Sequence, residues 1–393
     1  MVFFTHRNLL LSLWITTGLS VCLAIYGGIA AYSPVPFWDM WDHLDLAAKA
    51  PTGGLQVWWE QHNEHRIVLA KVLFLVDQSY FHGNQWFLIL ANYLIVALSC
   101  VVFVVLLKEQ LGEDADPIPL RVLSLILVTM LVSWIQIDNL TWAFQSQFFL
   151  AQLLPLIALF LLFKSAAAPA HSRGLFILAC GVGFISIGTM ANGVLALPLM
   201  LGLSLILRVT RMRLAILALV AIAGVSLYFF DYHGVSTHGN PGDAGRNAPG
   251  DIIRYVLLYL GGPFYFFTFG SKAAAYTAGA FLVCSSVVFA LQCMRSPRVG
   301  GGQIVTLAFL AYLGATALVT AAGRLSFGVD QALAGRYQTP ALMAWAALLI
   351  LYAPSFSRLL QRQPVQGISL ALMIALLLLP QQLTAIKNKQ DYS

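Results

Sequence analysis

The sequence is poor in charge. Of its 393 residues only 10% are Asp, Glu, Lys or Arg, against about a quarter in soluble domains. With 59% of the residues hydrophobic, no soluble core would hide the apolar surface, and a water-soluble globular domain is excluded. Cysteine is scarce too. Cys22, Cys100, Cys180, Cys284 and Cys293 fall inside or at the ends of apolar runs, without the close spacing of a zinc or redox motif, which leaves packing as their role. No ionisable residue stands at the midpoint of an apolar run, which argues against a proton- or ion-coupled transporter. No internal repeat is present. The formal net charge of +6 would suit nucleic acid in a soluble protein. Here the basic residues sit mostly in short connections between apolar runs, where they orient helices, so nucleic acid is excluded as a partner.

What the chain has is apolar length. A bilayer core about 30 Å thick takes about 20 helical residues. Runs of that kind, bounded by charge or by Gly and Pro, lie near 9–31, 85–107, 120–138, 146–164, 174–189, 193–207, 214–231, 272–294, 303–322, 340–356 and 366–382. They predict an all-α polytopic integral membrane protein, one domain over 1–393, with about ten or eleven transmembrane helices. The first run follows His6 and Arg7 as a signal peptide would, but its length and the lack of a small-residue cleavage site make it a retained helix. The runs that meet between Gly188 and Gly193 read as two spans or as one broken or re-entrant element.

With a cytoplasmic N-terminus, the inner connections hold twelve basic and four acidic residues, and the outer segments ten basic and twelve acidic. That bias fixes the orientation. The inner acidic residues cluster at Glu109, Glu113, Asp114 and Asp116. The long connections, 32–84, 232–271 and 323–339, are all outer, so function is expected on that face.

The first of them carries Pro34-Val35-Pro36-Phe37-Trp38-Asp39-Met40-Trp41-Asp42-His43-Leu44-Asp45. Three carboxylates at i, i+3 and i+6 lie along one side of a short helix, with Trp38 and Trp41 at headgroup level. Next comes Trp58-Trp59-Glu60-Gln61-His62-Asn63-Glu64-His65-Arg66, which leads into an apolar-periodic stretch, 67–80, read as a juxtamembrane helix. Imidazole and carboxylate at His43, His62, Glu64 and His65 suit a divalent cation, but the spacing matches no closed motif and no metal is predicted. A carboxylate beside so much aromatic surface is expected to have a raised pKa and to act as a general base on a hydroxyl acceptor.

Between the third and fourth runs, Asp138, Asn139, Trp142 and Gln145 offer hydrogen-bonding groups beside aromatic faces, a composition that suits a sugar or an interfacial anchor. In 323–339, Arg324 and Arg336 run against the charge bias. A guanidinium fork matches phosphate oxygens, and the two are the phosphate candidates. The glycine-rich loop 232–251, flanked by Arg246 and Arg254, reads as a lid.

This layout resembles the GT-C superfamily of membrane glycosyltransferases, which use polyprenyl-phosphate-linked sugars. The resemblance spans most of the chain as a layout. Asp39 and Asp42 stand in the acidic position of the first outer loop, His65-Arg66 and 67–80 look like its juxtamembrane segment, and Arg336-Tyr337 looks like the late basic motif. It implies transfer of a sugar from a polyprenyl phosphate to a lipid-linked glycan or protein acceptor, with an outer Asp as base. A bacterial inner membrane and a periplasmic active face follow from the same layout. His62, Glu64, His65, Arg66, Asp138, Asn139, Trp142, Gln145, Arg324, Arg336 and Tyr337 are then expected to bind substrate. Whether Asp39 or Asp42 is the base stays open, with Asp39 preferred as the first after the span. An O-antigen-type glycan polymerase, a lipid-glycan flippase or transporter, and a non-catalytic membrane subunit are the alternatives.

Overall fold

A computed structural model describes residues 6–112, 116–167, 172–234, 248–295 and 300–387. Glu113, Asp114, Arg298 and Arg246, with most of the expected lid, lie outside these residues. The described chain is all helix and turn. Within a bilayer every backbone N–H and C=O must find its partner inside its own segment, and these apolar runs satisfy that by coiling.

Helix α1 (His6–Ala30) is followed by three short helices, α2 (Asp42–Lys49), α3 (Gly54–Trp59) and α4 (Val68–Tyr80). Then come α5 (Trp86–Leu111) and α6 (Pro117–Leu131), which continues through a short turn into α7 (Ile137–Thr141). After α8 (Ser146–Ala167), α9 (Ser172–Ile185) and α10 (Ala196–Ile206) are separated by two 3-10 turns. The rest comprises α11 (Arg211–Phe229), α12 (Pro249–Phe267), α13 (Lys272–Arg295), α14 (Gly301–Arg324), α15 (Gln338–Leu351), α16 (Ala353–Arg362) and α17 (Pro364–Lys387).

Eight segments among the described residues are long and apolar enough to cross a membrane, and the pair α15 and α16, bent by 57°, makes a ninth if counted as one span. The chain is thus an all-α polytopic membrane protein. The two remaining predicted runs are the shorter apolar helices, Ser172–Gly188 and Ala191–Ile206, interrupted where Met190 is extended (φ −162°, ψ 177°).

Helix α12 lies inside a segment read from sequence as an external loop. Its Pro249, Gly250, Asp251, Gly261, Gly262 and Pro263 look like breakers. Pro249 instead occupies the first turn, where its missing N–H is harmless, and Gly261 and Gly262 serve packing. A Cβ on Gly261 would strike the carbonyl of Ala275, and one on Gly279 the carbonyl of Leu257, so α12 and α13 run antiparallel in backbone contact. Tyr255, Leu258, Tyr259 and Leu260 are buried against the rest of the bundle.

Buried amides and hydroxyls tie the other helices. The Trp134 N–H donates to Gln382 Oε1 at 2.8 Å, and Gln382 Nε2 donates to the carbonyl of Ser20 at 2.6 Å. Thr17 and Thr129 share a hydroxyl contact of 3.0 Å, which joins α1 to α6 beside α17.

Candidate functional site

A cavity of about 1000 Å³ lies at the end of the bundle where α1 gives way to α2 and where α14 finishes. Its walls come from segments far apart in sequence, around residues 38, 62, 145, 190, 320 and 336.

One wall is acidic and aromatic. Trp38 holds a left-handed backbone (φ 48°), which a bulky L residue adopts only when its surroundings enforce it. Here Phe37 stacks on its ring at 5.2 Å, Trp142 meets it edge-on at 6.3 Å, and the indole N–H of Trp142 donates to the Phe37 carbonyl at 3.3 Å. The turn so pinned sets Asp39 against His62, with Oδ2 3.5 Å from Nε2. His62 Nδ1 is 3.4 Å from Asp42, and its ring lies against Phe144 at 5.1 Å. Asp39 lines the cavity. Asp42 sits behind His62, its side chain 67% exposed.

The expected rise in the pKa of Asp39 is reversed. Its carboxyl is held below the usual carboxylate range, chiefly by the hydrogen bond to His62, with His62, Arg336 and Arg324 adding favourable charge against the opposing effect of burial. The aromatic surroundings desolvate the group, but the partners prevail.

The segment 62–65 is a tight hairpin. His62 N–H donates to the carbonyl of His65 at 2.8 Å, and His65 N–H to that of His62 at 2.9 Å. The two-residue loop is Asn63-Glu64, with Asn63 left-handed (φ 52°), a conformation that asparagine tolerates well. Directly paired residues project to one face, and both histidines line the cavity. Glu64 forms an ion pair with Arg324, and His65 Nδ1 accepts from the Ala191 N–H at 3.3 Å, which couples the hairpin to the break between α9 and α10.

Arg66 does not line the cavity. It is 3% exposed and donates to the carbonyls of Trp59, Tyr228 and Phe230, so it clamps the ends of α3 and α11 together. Lys71 ties α4 to the end of α3, donating to the carbonyls of Val57 at 2.9 Å and Glu60 at 2.7 Å. Burial lowers its pKa to about 8.

The opposite wall is cationic. Arg324 ends α14, and Arg336 lies in the 3-10 turn Gly335–Tyr337, its guanidinium 5.4 Å from the Tyr337 ring. Tyr337 is buried against Tyr259 at 5.3 Å. Asp138 and Asn139 stand behind this turn rather than in the cavity. The Arg336 N–H donates to Asp138, and Asn139 Nδ2 donates to the Arg336 carbonyl at 2.9 Å and to Thr339 Oγ1 at 2.7 Å. Gly335 allows this approach, since a Cβ there would lie 2.6 Å from the Asp138 carboxylate.

Of the residues predicted from sequence, Asp39, His62, Glu64, His65, Trp142, Gln145, Arg324, Arg336 and Tyr337 line one cavity. Asp42, Arg66, Asp138 and Asn139 surround it. The sequence reading did not place Gln147, Gln152, Asn192, Thr316 and Thr320 in the site, and they too line the cavity. Their signal was available: buried carboxamides on the otherwise apolar α8 need a reason. Among the described residues no three His, Cys, Asp or Glu side chains gather as a metal-binding group, and the side chain of His43 lies outside the described set. Comparison with protein-family models, with curated proteins and with solved structures returns no match for the chain.

Proposed function

We propose that the chain is a membrane glycosyltransferase that moves a sugar from a polyprenyl phosphate to a hydroxyl of a lipid-linked glycan or protein on the outer face of a bacterial inner membrane. The observation that carries this reading is the convergence of Asp39 with Arg324 and Arg336 in one cavity, from opposite ends of the sequence.

A direct displacement needs a base for the incoming hydroxyl and a cation for the outgoing phosphate. Asp39 is ionised at neutral pH and is placed to take the acceptor proton as the acceptor oxygen bonds to the anomeric carbon. The bond from that carbon to the phosphate oxygen breaks, and the polyprenyl phosphate leaves with the electron pair. Among the described residues Arg336 forms no ion pair, whereas Arg324 is engaged by Glu64. Arg336 is therefore the better phosphate ligand, with Arg324 reinforcing the field. His62, between Asp39 and Asp42, holds the carboxylate in place.

The test is the mass profile of surface glycans and glycoproteins in a host with the chain deleted, restored, or restored as Asp39→Asn at equal membrane level. Loss of one sugar mass in both the deletion and the variant is expected. Full rescue by Asp39→Asn removes Asp39 as the base, and shortened glycan chains with no missing sugar point to a polymerase instead.

A further inference from the structure

Helix α16 carries a second recess, at the end of the bundle opposite the cavity. Helix α15 leaves the cavity wall after Tyr337 and runs 14 residues, a length of about 20 Å at the helical rise. The chain then bends by 57° into α16, which packs on α5, α6 and α17. Where the spans fill the hydrocarbon core, a short helix turned aside at the end of a span lies at the start of the headgroup layer. Its faces agree with that level. Ala353, Ser357 and Leu360 are buried, while Ser355, Arg358 and Arg362 are exposed.

The exposed stripe is concave and basic. Ser355, Arg358, Leu359, Arg362 and Gln363 line a recess of about 370 Å³. The two arginines stand one helical turn apart, and Arg358 Nη2 donates to Ser355 Oγ at 3.1 Å. Like charges at that spacing repel. Among the described residues neither arginine forms an ion pair. The sequence has no Asp or Glu between Asp330 and Asp391, so α15, α16 and α17 bring no carboxylate to them. A bias of positive charge toward one end of a bundle accounts for the sign of these residues. It does not account for two of them around one recess without a counter-anion, an arrangement that an anion between them would relieve.

We propose that this recess is a binding site for the phosphate of an anionic phospholipid, held by Arg358 and Arg362. A guanidinium fork meets phosphate oxygens with parallel hydrogen bonds, and two forks one turn apart suit a single phosphodiester. Ser355 and Gln363 add neutral hydrogen-bonding groups for the rest of a headgroup. Leu359 gives the recess an apolar side, which a lipid uses and a free phosphate does not. Place favours the lipid as well, since a helix at this level meets headgroup phosphates continuously. The site does not depend on the transferase reading, because none of its residues lines the cavity.

The test is native mass spectrometry of the full chain released from nanodiscs of mixed phosphatidylcholine and phosphatidylglycerol, with the thermal midpoint measured in the same nanodiscs and in phosphatidylcholine alone. Phosphatidylglycerol should be retained in preference to phosphatidylcholine and should raise the midpoint. Arg358→Gln combined with Arg362→Gln should lower that preference by about fivefold or more, the worth of one arginine beside an anionic lipid surface. Both side chains are exposed, so the midpoint of this variant in pure phosphatidylcholine should match that of wild type. Arg211→Gln, which removes an exposed charge at the start of α11, is the control and should leave the preference unchanged. An equal loss in Arg211→Gln would reduce the effect to diffuse attraction and overturn the site, as would an unchanged preference in the double variant. If inorganic phosphate raises the midpoint in pure phosphatidylcholine as much as phosphatidylglycerol does, and the double variant loses that rise, the ligand is a soluble phosphate and the lipid assignment falls.

Discussion

His62 stands between two carboxylates, with Nε2 3.5 Å from Asp39 and Nδ1 3.4 Å from Asp42. The three groups come from either side of the first short helices. The imidazole can serve both only because the 3-10 turn at 38–41 and the 62–65 hairpin are each fixed by their own hydrogen bonds. Asp39 faces the cavity and Asp42 faces away, so the chemistry of the pair is unequal although the sequence presents them three residues apart.

The lowered pKa of Asp39 gives a pH dependence with a definite sign. A carboxyl depressed in the folded state contributes stability that is present above its unfolded value, near 3.8, and is lost as pH falls through the lower folded value. The difference in thermal midpoint between wild type and Asp39→Asn, followed by tryptophan fluorescence, should be flat from about pH 5 to 7 and should shrink below about pH 4. His62, Arg324 and Arg336 are the charged partners that act on Asp39. A difference that shrinks between pH 5 and 7 would mean that burial, not His62, governs the group.

Lys71 predicts the opposite end of the scale. Its pKa falls from 10.5 in the unfolded chain to about 8 in the fold, because burial disfavours the charged amine. The folded state then binds fewer protons than the unfolded one between those values, so stability rises as pH increases through that window. At a fixed scan rate, the midpoint of wild type should climb from pH 8 to 10 relative to Lys71→Met. The methionine variant should also be less stable at every pH, since it leaves the carbonyls of Val57 and Glu60 without their donor. Parallel curves for the two proteins would refute the shift.

Much of the membrane architecture was legible because apolar length is a strong signal. Every predicted run is helical, and the break between α9 and α10 was visible as the Gly188 to Gly193 interruption. Helix α12 was not legible, since Gly261, Gly262 and Pro263 carry the local signature of a loop while their role, contact with α13, is set by a partner elsewhere in the chain. The site divides in the same way. Residue types in the long connections pointed to Asp39, His62, Arg324 and Arg336, but sequence spacing could not separate groups that face the cavity from those that hold its walls, such as Arg66 and Asn139. Gln152 was not legible as a site residue, since it stands within an apolar run that carries the signature of a span.

The contact between α12 and α13 should be intolerant of a single methyl. Gly261→Ala and Gly279→Ala each drive a Cβ into a backbone carbonyl that cannot rotate away, and an overpacked helix pair of this kind costs about 1–3 kcal/mol. Gly314→Ala, where a Cβ meets nothing within 4 Å, is the control and should be neutral or slightly stabilising. Reversible unfolding in mixed micelles measures all three. Equal stability of the Gly261 and Gly314 variants would show that α12 does not pack on α13 in this way.

Asn139 offers the sharpest separation of support from contact. Its amide holds the Arg336 carbonyl and the Thr339 hydroxyl from behind the cavity wall. Asn139→Ala removes two hydrogen bonds, and so should destabilise the protein by about 1–3 kcal/mol. It also frees the turn that aims Arg336. If Arg336 holds a phosphate, binding of a short-chain prenyl phosphate should weaken in Asn139→Ala although the residue does not line the cavity, and Arg336→Ala should weaken it further. The two substitutions should not be additive, because both act through one guanidinium. A double-mutant cycle in nanodiscs reads this directly. Additive losses would place Asn139 in an independent role, and unchanged binding in Arg336→Ala would move the phosphate to Arg324.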